Sequence, residues 1–446
     1  MTILSEIPIC TWPAIPSKAG ALALALQYQL EHSQWLSPEK IRLAQFGQLR
    51  HVLAEAFSKI TYWRDTLKQA GFESEQPFSE TQFTSLPILD RLAVQGLADK
   101  LVNPSVPSSH GKVYKGSTSG STGTPVVFYQ TDLAQHFWRA LTLREHLWQR
   151  RDFSGKMAVI RSNVNTRVAE NWGAATARVI KTGPVCALNI RADIDEQLDW
   201  LQKQNPHYVL THPSNLKALA NRAIERGVIL PQLRQLRTFG EILSDDTREQ
   251  CRRAWNAEIA DIYSSEEAGC IASQCEYGTY HIQSENLLVE LVDDHGAACR
   301  PGEIGRVLIT TLHNFAMPLI RYDIGDYAES GAECPCGRGL PVIRRIMGRV
   351  RNMIKLPDGT QHWPSFPEDR WVGIAPIQQL QVVQKSLDTI VLKVKSAREL
   401  NATEVSQLIE TFKLTLKFPH RITVEPIETI LRNKNAKFED FVSEIK

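Results

Sequence analysis

A run of small residues is the clearest candidate for an anion-binding loop. It reads Thr118-Ser119-Gly120-Ser121-Thr122-Gly123-Thr124-Pro125. Glycine lets backbone N–H groups approach an anion closely, and the hydroxyl side chains add O–H donors. Apolar and β-branched residues at 113–114 and 126–129 predict a strand on each side. A Walker loop would end in Gly-Lys-Ser/Thr and open a helix, which this run does not. A flexible turn is the alternative, but Pro125 and the flanking strands favour phosphate binding.

Further motifs follow this loop in chain order. They are Tyr263-Ser264-Ser265-Glu266-Glu267, Arg321-Tyr322-Asp323-Ile324-Gly325-Asp326, Gly348-Arg349, and Arg432 followed by Ala436-Lys437-Phe438. In this order the set resembles the signatures of the adenylate-forming enzymes, which use ATP to activate a carboxylate as an acyl-AMP. The strand-loop segment at Glu241, a Cys/His set and the modest length are most similar to the phenylacetate-CoA ligase-like branch.

The resemblance implies a set of residues that bind ATP or AMP. They are Thr118, Ser119, Gly120, Ser121, Thr122, Gly123, Glu241, Tyr263, Ser264, Asp326 and Arg349. Asp326 is the expected ribose anchor because a carboxylate can accept hydrogen bonds from two neighbouring hydroxyls. An ordinary Gly-Asp turn is the alternative for Asp326. Tyr263 should lie beside the adenine or the acyl group.

A magnesium ligand is also implied, because adenylation uses Mg²⁺ on the ATP phosphates and Mg²⁺ prefers oxygen ligands. The resemblance assigns this role, and with it a place in catalysis, to Glu267. Glu266 is the second candidate. The alternative for the two glutamates is an exposed helix start, where carboxylates are favoured by the helix dipole.

Lys437 is the candidate catalytic lysine. Negative charge develops on the reacting carboxylate and phosphates, and a mobile ammonium can neutralise it in the transition state. Only the family spacing from Arg432 distinguishes Lys437 from a surface lysine, and Lys434 competes for the role. Ala436 stands where glycine is usual.

A second group of residues has the composition of a closed zinc site. Cys275, His281, Cys334 and Cys336 supply the four N/S ligands that structural Zn²⁺ takes. A similar arrangement occurs in part of the phenylacetate-CoA ligase-like branch, so we expect a structural ion. Cys270 is a spare ligand, and unlinked cytosolic thiols beside a surface histidine are the alternative.

The expected fold is α/β, and the chain of 446 residues is too long for one compact core. We expect a large N-terminal AMP-binding domain over 1–347, with layered sheets and helices and a helical layer over about 1–100. Residues 348–446 should form a small α+β lid. In the family this lid rotates between the two half-reactions about a hinge near Arg351, where an acidic residue is usual.

Local patterns add detail. Ser37-Pro38 should cap a helical stretch over 38–70. Strand and helix patterns alternate over 155–345 and predict mainly parallel sheets, while 285–312 reads as a hairpin that turns at Asp293-Asp294-His295-Gly296.

Composition excludes several classes of protein. A formal net charge of +2 does not indicate the strongly basic surface that nucleic-acid binding needs. The N-terminus lacks the pattern of a signal peptide, and the apolar segment 21–30 is too short to span a bilayer. We therefore expect a cytoplasmic protein without a membrane partner, and leave a homodimer open.

The resemblance implies the activation of a carboxylic acid with ATP and Mg²⁺, followed by transfer of the acyl group to a thiol, with coenzyme A as the expected acceptor. An aryl or arylacetic acid is the expected substrate. Its pocket should be shaped by 239–241, by Tyr263 and by residues near 172–175. A carrier protein or an amine is the alternative acceptor, and a catalytically silent nucleotide-binding scaffold is the alternative from another class.

Overall fold

The computed structural model describes residues 2–10, 12–73, 76, 78–118, 125–364, 366, 370–416, 418–428 and 438–445. The N-terminal helices are α1 Lys18–Ser33, α2 Pro38–Lys59, α3 Thr61–Gln69, α4 Glu80–Thr84 and α5 Arg91–Leu97. The Ser37 side chain accepts a hydrogen bond from Lys40 N, with Pro38 as the first helical residue. The predicted cap is confirmed, and helices occupy much of the first hundred residues.

The predicted strands around the small-residue run form an antiparallel hairpin. They are β1 Val113–Ser117 and β2 Val127–Thr131. Thr131 then caps α6 Asp132–Trp148 by accepting from Ala134 N. Ser119, Gly120, Ser121, Thr122 and Gly123 lie outside the described residues, so their role stays a prediction.

A twelve-stranded mixed sheet forms the centre of the molecule, with strand order β11-β12-β13-β14-β10-β9-β8-β7-β6-β3-β5-β4. The strands are β3 Met157–Arg161, β4 Arg167–Ala169, β5 Val185–Asn189, β6 Tyr208–Thr211, β7 Gln235–Phe239, β8 Glu258–Ser265, β9 Gly269–Gln274, β10 Tyr280–Ile282, β11 Leu287–Val292, β12 Ile304–Thr311, β13 Tyr322–Ser330 and β14 Val342–Arg349. The helices that connect its parallel strands are α7 Ile194–Gln204, α8 Pro213–Arg226 and α9 Asp245–Trp255.

The sheet changes character at β8. Strands β5, β3, β6, β7 and β8 are parallel, whereas β8 to β14 pair antiparallel. The prediction of mainly parallel sheets over 155–345 is therefore wrong beyond β8. The physical reason is the connections: parallel strands need a crossover, and the chain after β8 has only turns and loops. The predicted hairpin of β11 and β12 is confirmed.

The C-terminal part forms a smaller α+β unit. Its elements are β15 Ile354–Lys355, β16 Gln361–His362, β17 Ile377–Ser386, β18 Thr389–Ser396, α10 Ala402–Leu416, β19 Arg421–Pro426 and β20 Phe441–Ser443. Four of the strands form a sheet in the order β19-β18-β17-β20. This unit has its own core, which begins at Ile354. A boundary at 347/348 and a moving lid stay predictions.

The largest core cluster joins the helical layer to the antiparallel half of the sheet. Trp63 and Phe83 from the helices and Tyr322 and Ile343 from the strands are fully buried in it. Backbone bonds reinforce the contact, since Leu89 N donates to Arg321 O. Among the described helices, none has the length and apolar composition needed to cross a bilayer.

Substituting Trp63→Ala tests this packing. Trp63 is completely buried, so the change should destabilise the protein by roughly 3–5 kcal/mol through lost burial and a cavity. The measurement is the midpoint of chemical denaturation followed by intrinsic fluorescence and far-UV circular dichroism. Leu43→Ala on α2 is the control because Leu43 is 76% exposed, and equal shifts for the two variants would contradict the assigned packing.

Candidate active site

A cavity of about 1510 Å³ lies between the central sheet and the C-terminal unit. The predicted residues that line it are Thr118, Glu241, Tyr263, Ser264, Glu267, Asp326 and Arg349. Glu241 follows the carboxyl end of β7, and Tyr263 lies near the carboxyl end of β8. This is the edge at which open α/β sheets bind ligands. The described part of the predicted nucleotide site is therefore gathered around one space.

Asp326 lies at the centre of a hydrogen-bonded group. Tyr263 Oη donates to Asp326 Oδ2 at 2.9 Å, and Arg349 Nε donates to Asp326 Oδ1 at 3.2 Å. Pairing of β13 with β14 places Asp326 directly opposite Arg349. Burial, with the Asp326 carboxylate beside it, raises the pKa of Tyr263 well above its usual value. Tyr263 therefore stays a protonated donor, and Asp326 is part of a strand and not of a Gly-Asp turn.

The paired glutamates lie in the turn between β8 and β9, so the alternative of a helix start is wrong. Glu267 is buried, and Tyr322 Oη donates to its Oε1 at 3.4 Å. Glu266 is exposed, although it also lines the cavity. The two carboxylates therefore differ in burial, and both are at the wall of the cavity.

Thr118 lies at the first end of the predicted anion-binding run. Its Oγ1 accepts from Val126 N and from Arg91 Nη2, both at 3.0 Å. Arg91, at the start of α5, also lines the cavity and was missed in the sequence. A single arginine far from the motif gives no sequence signal, because only the fold brings α5 beside the run.

Glu241 has partners within the protein. Its Oε2 accepts from Ser214 N at 2.9 Å, and its Oε1 accepts from Phe438 N at 2.8 Å. Lys437, which precedes Phe438 in the sequence, lies outside the described residues together with Lys434 and Ala436. Contact of Glu241 with a nucleotide and catalysis by Lys437 stay predictions.

The predicted zinc ligands converge in the interior. One donor atom from each of Cys275, His281, Cys334 and Cys336 lies within 4.8 Å of the other three. Cys275 and His281 come from the β9–β10 hairpin, while the other two lie in the loop between β13 and β14. Cys270 is instead paired with Ser273 and is not a member of the cluster.

The donor set has the chemistry that a soft metal ion takes. His281 Nδ1 lies 3.3 Å from Leu340 O, a pure acceptor, so the proton belongs on Nδ1 and Nε2 is left facing Cys336 Sγ at 3.2 Å. Burial lowers the pKa of His281 to about 4, which keeps the imidazole neutral. Burial also raises the pKa of Cys275, so this thiol is a poor acid without a nearby cation. These properties fit Zn²⁺ in a closed site.

A second cavity of about 410 Å³ adjoins the first. The two share Gly240 and residues 264–267, and the second is also lined by Trp138, Phe239 and His313. Residues 172–175 line neither of these two cavities, so their expected part in the acid pocket stays a prediction. Trp172 packs against Phe153 and Tyr208 in a separate part of the core. Its indole N–H donates to Gly155 O there.

The mixed sheet, with a cavity at its edge and a small α+β unit beside it, defines an α/β fold class. A solved structure of 2-hydroxyisobutyryl-CoA ligase in the postadenylation state has this fold, with a TM-score of 0.72 and 18% identity over 93% of this chain and 92% of that chain. The predicted fold class is confirmed.

The sequence comparisons point to one branch of this class. No family model matches the chain. It is 25% identical to phenylacetate-coenzyme A ligase of Thermus thermophilus over 389 residues, which cover 83% of this chain and 84% of that protein. It is 23% identical to the phenylacetate-coenzyme A ligase of Aromatoleum evansii over 393 residues, with 83% and 85% covered. The resemblance to the phenylacetate-CoA ligase-like branch is confirmed.

Proposed function

We propose that the protein is an acid–thiol ligase that converts a carboxylic acid and ATP into an acyl-AMP and then passes the acyl group to coenzyme A. One observation carries the proposal: Asp326, Tyr263, Arg349 and Glu267 surround a single cavity at the nucleotide-binding edge of the sheet. Sequence similarity to two phenylacetate-coenzyme A ligases over most of the chain supports the same reaction.

The role of each residue in the proposed adenylation follows from the charges of the reacting groups. A substrate carboxylate oxygen attacks the α-phosphorus of ATP, and pyrophosphate leaves. Asp326 would accept the ribose hydroxyls, while Thr118 and the loop after it would donate to the phosphates. Lys437 would neutralise charge as it develops on the phosphates. Glu267 would hold Mg²⁺, which would supply further charge neutralisation on the phosphates.

The second cavity supports an aryl or arylacetic acid as the substrate. It shares Gly240 and 264–267 with the first cavity, so an acid bound there would have its carboxylate near the proposed phosphate site. Trp138 and Phe239 provide aromatic surface for a ring. Its volume of about 410 Å³ fits a small acid.

We also propose that Cys275, His281, Cys334 and Cys336 hold a structural Zn²⁺. The ion would join the β9–β10 hairpin to the loop between β13 and β14. The hairpin lies beside β8, which carries Tyr263, and the loop follows β13, which carries Asp326. The ion would therefore stiffen the frame of the cavity without taking part in the reaction.

Other features remain predictions from the sequence. They are the cytoplasmic location, a homodimer and the absence of a nucleic acid partner. A carrier protein or an amine as the acyl acceptor is the second candidate function. A silent scaffold would bind ATP but would activate no acid.

Exchange of labelled pyrophosphate into ATP tests the proposal, with a panel of aryl, arylacetic, fatty and amino acids. We expect exchange with aryl or arylacetic acids, and stoichiometric AMP release when coenzyme A is added. Exchange that does not respond to coenzyme A would favour another acceptor. Measurable ATP binding without exchange by any acid would support the scaffold.

Asp326→Asn should raise KM for ATP about tenfold or more, because one hydrogen bond to a charged group is worth roughly 1.5–3 kcal/mol. The asparagine side chain would also direct its NH2 group towards Tyr263 or Arg349, both of which donate to Asp326 in the wild type. KM is measured in the exchange assay. Asp358→Asn, in the turn between β15 and β16, is the control, since Asp358 only accepts hydrogen bonds within its own turn. An unchanged KM in Asp326→Asn would contradict the ribose assignment.

Removal of one thiol tests the zinc proposal. The purified protein should contain about one equivalent of zinc, and Cys336→Ser should lose most of it and unfold at a lower temperature. Metal content by atomic emission and the thermal unfolding midpoint are the readouts. Cys299→Ser is the control because Cys299 is outside the cluster. Equal metal content in both variants would exclude this site.

A further inference from the structure

His313 lies in the loop after β12 and lines the second cavity. The next residue ties this loop to the rest of the protein, because Asn314 Nδ2 donates to Tyr129 O at 2.9 Å and to Met317 O at 3.2 Å. The imidazole of His313 stacks on Phe137 of α6, with the ring centroids 3.7 Å apart and an angle of 19° between the ring planes. The loop is therefore anchored, and the plane of the imidazole is set by the stack.

The two nitrogens of the His313 ring have no hydrogen bond to any residue that the structure describes. Nδ1 is buried without a partner, and Nε2, which is not buried in this way, is the nitrogen on the open side of the ring. Burial, with His110 nearby, lowers the pKa of His313 to about 4, so the ring is neutral at physiological pH. A neutral imidazole has one N–H donor and one acceptor nitrogen. Nε2 therefore offers a hydrogen bond that no described residue takes up.

Two other polar side chains of the same cavity are used to hold the protein together. Gln130 Nε2 donates to Glu267 O at 3.1 Å, and His212 Nδ1 lies 2.9 Å from Phe239 O. These contacts join the cavity wall to the ends of β7 and β8. His313 differs because its ring is held by stacking alone, which leaves Nε2 available to a ligand.

The position of His313 indicates which part of a bound acid it would meet. His313 lines the second cavity and not the first, whereas Gly240 and 264–267 line both. An acid with its carboxylate beside the shared residues would extend its ring into the second cavity, where Trp138 and Phe239 give aromatic surface. His313 would therefore face the ring of the acid and not its carboxylate.

We propose that His313 selects an aryl acid with a hydroxyl group on its ring, through a hydrogen bond between that hydroxyl and Nε2. A hydroxyl both donates and accepts, so it can pair with Nε2 in either tautomer of the imidazole. An acid without the hydroxyl would cover Nε2 with apolar atoms and leave it unpaired, and such a loss is what lets a polar site discriminate. The inference rests on the proposed function and names a narrower class of substrate for the same site.

Pairs of acids that differ by one ring hydroxyl test the proposal in the pyrophosphate exchange assay. Benzoic and phenylacetic acids are compared with their ortho, meta and para hydroxy derivatives. In the wild type, kcat/KM should be about tenfold higher for at least one hydroxy isomer than for its parent acid, the factor expected for one hydrogen bond to an otherwise unpaired group. His313→Phe keeps a ring to stack on Phe137 and should bring this ratio close to one, with KM for ATP unchanged.

The ratio of the two kcat/KM values within one variant does not depend on how much of the protein is active, so a general loss of folding leaves it unchanged. His313→Gln places an amide near the position of Nε2 and should retain an intermediate ratio. His51→Phe is the matched control, because His51 is exposed on α2 and lines neither cavity, and its ratio should equal that of the wild type. A ratio near one in the wild type, or an unchanged ratio in His313→Phe, would overturn the proposal.

Binding of unreactive sulfamate analogues of the acyl-AMP separates this inference from the proposed function. Analogues with and without the ring hydroxyl are compared by titration calorimetry. The wild type should bind a hydroxyaryl analogue about tenfold more tightly than its parent, and His313→Phe should bind the two equally. Equal binding by the wild type would overturn selection by His313 while the proposed function stands. Tighter binding of the hydroxyaryl analogue without exchange by any acid would leave the selection standing and overturn the proposed catalysis. If no analogue binds and no acid supports exchange, both fail.

Discussion

The carboxylate of Asp326 is the contact on which the site depends. It accepts from Tyr263 on β8 and from Arg349 on β14, so it joins the last strand of the parallel half to the antiparallel half. The Tyr263 phenol is buried, so leaving its O–H without a partner would be costly. The Arg349 side chain is 30% exposed and pairs with the same carboxylate. The two bonds therefore hold two side chains of the cavity wall, one from β8 and one from β14, against a single carboxylate.

The position of the cavity follows from the change in sheet topology at β8. The parallel strands bring the ends of β7 and β8, and thus Glu241 and Tyr263, to one edge. After β8 the chain reverses through a tight turn, which places the buried Glu267 at the same edge and starts the antiparallel strands. A continued parallel sheet would have carried the chain away through another helix.

Local features of the fold were predictable from the sequence because their causes are local. The cap at Ser37, the hairpin strands around Thr118 and the turn at 293–296 depend on a few neighbouring residues. The contact of Arg91 with Thr118 and that of Glu241 with Phe438 depend on packing across the whole chain, and no spacing encodes them. The convergence of the thiols was predicted through the family resemblance. The expectation for Trp172 stays a prediction, because an aromatic residue suits a core as well as a pocket.

The departure at Arg351, where the family usually has an acid, is matched by an opposite charge. Arg351 pairs with Glu439 at 2.7 Å, and both side chains are more than a fifth exposed. Such a pair is worth about 1 kcal/mol or less. That pair lies within 348–446, whereas the hydrogen bond from Phe438 N to Glu241 Oε1 joins this part of the chain to the large unit. A hydrogen bond to a charged acceptor is worth roughly 1.5–3 kcal/mol, so it favours this arrangement of the two units by an amount of that order. Bound ligands can change a balance of that size, since binding at 100 times Kd contributes about 2.7 kcal/mol. An arginine at the predicted hinge, paired with Glu439, is therefore compatible with a lid that moves, and that movement stays a prediction.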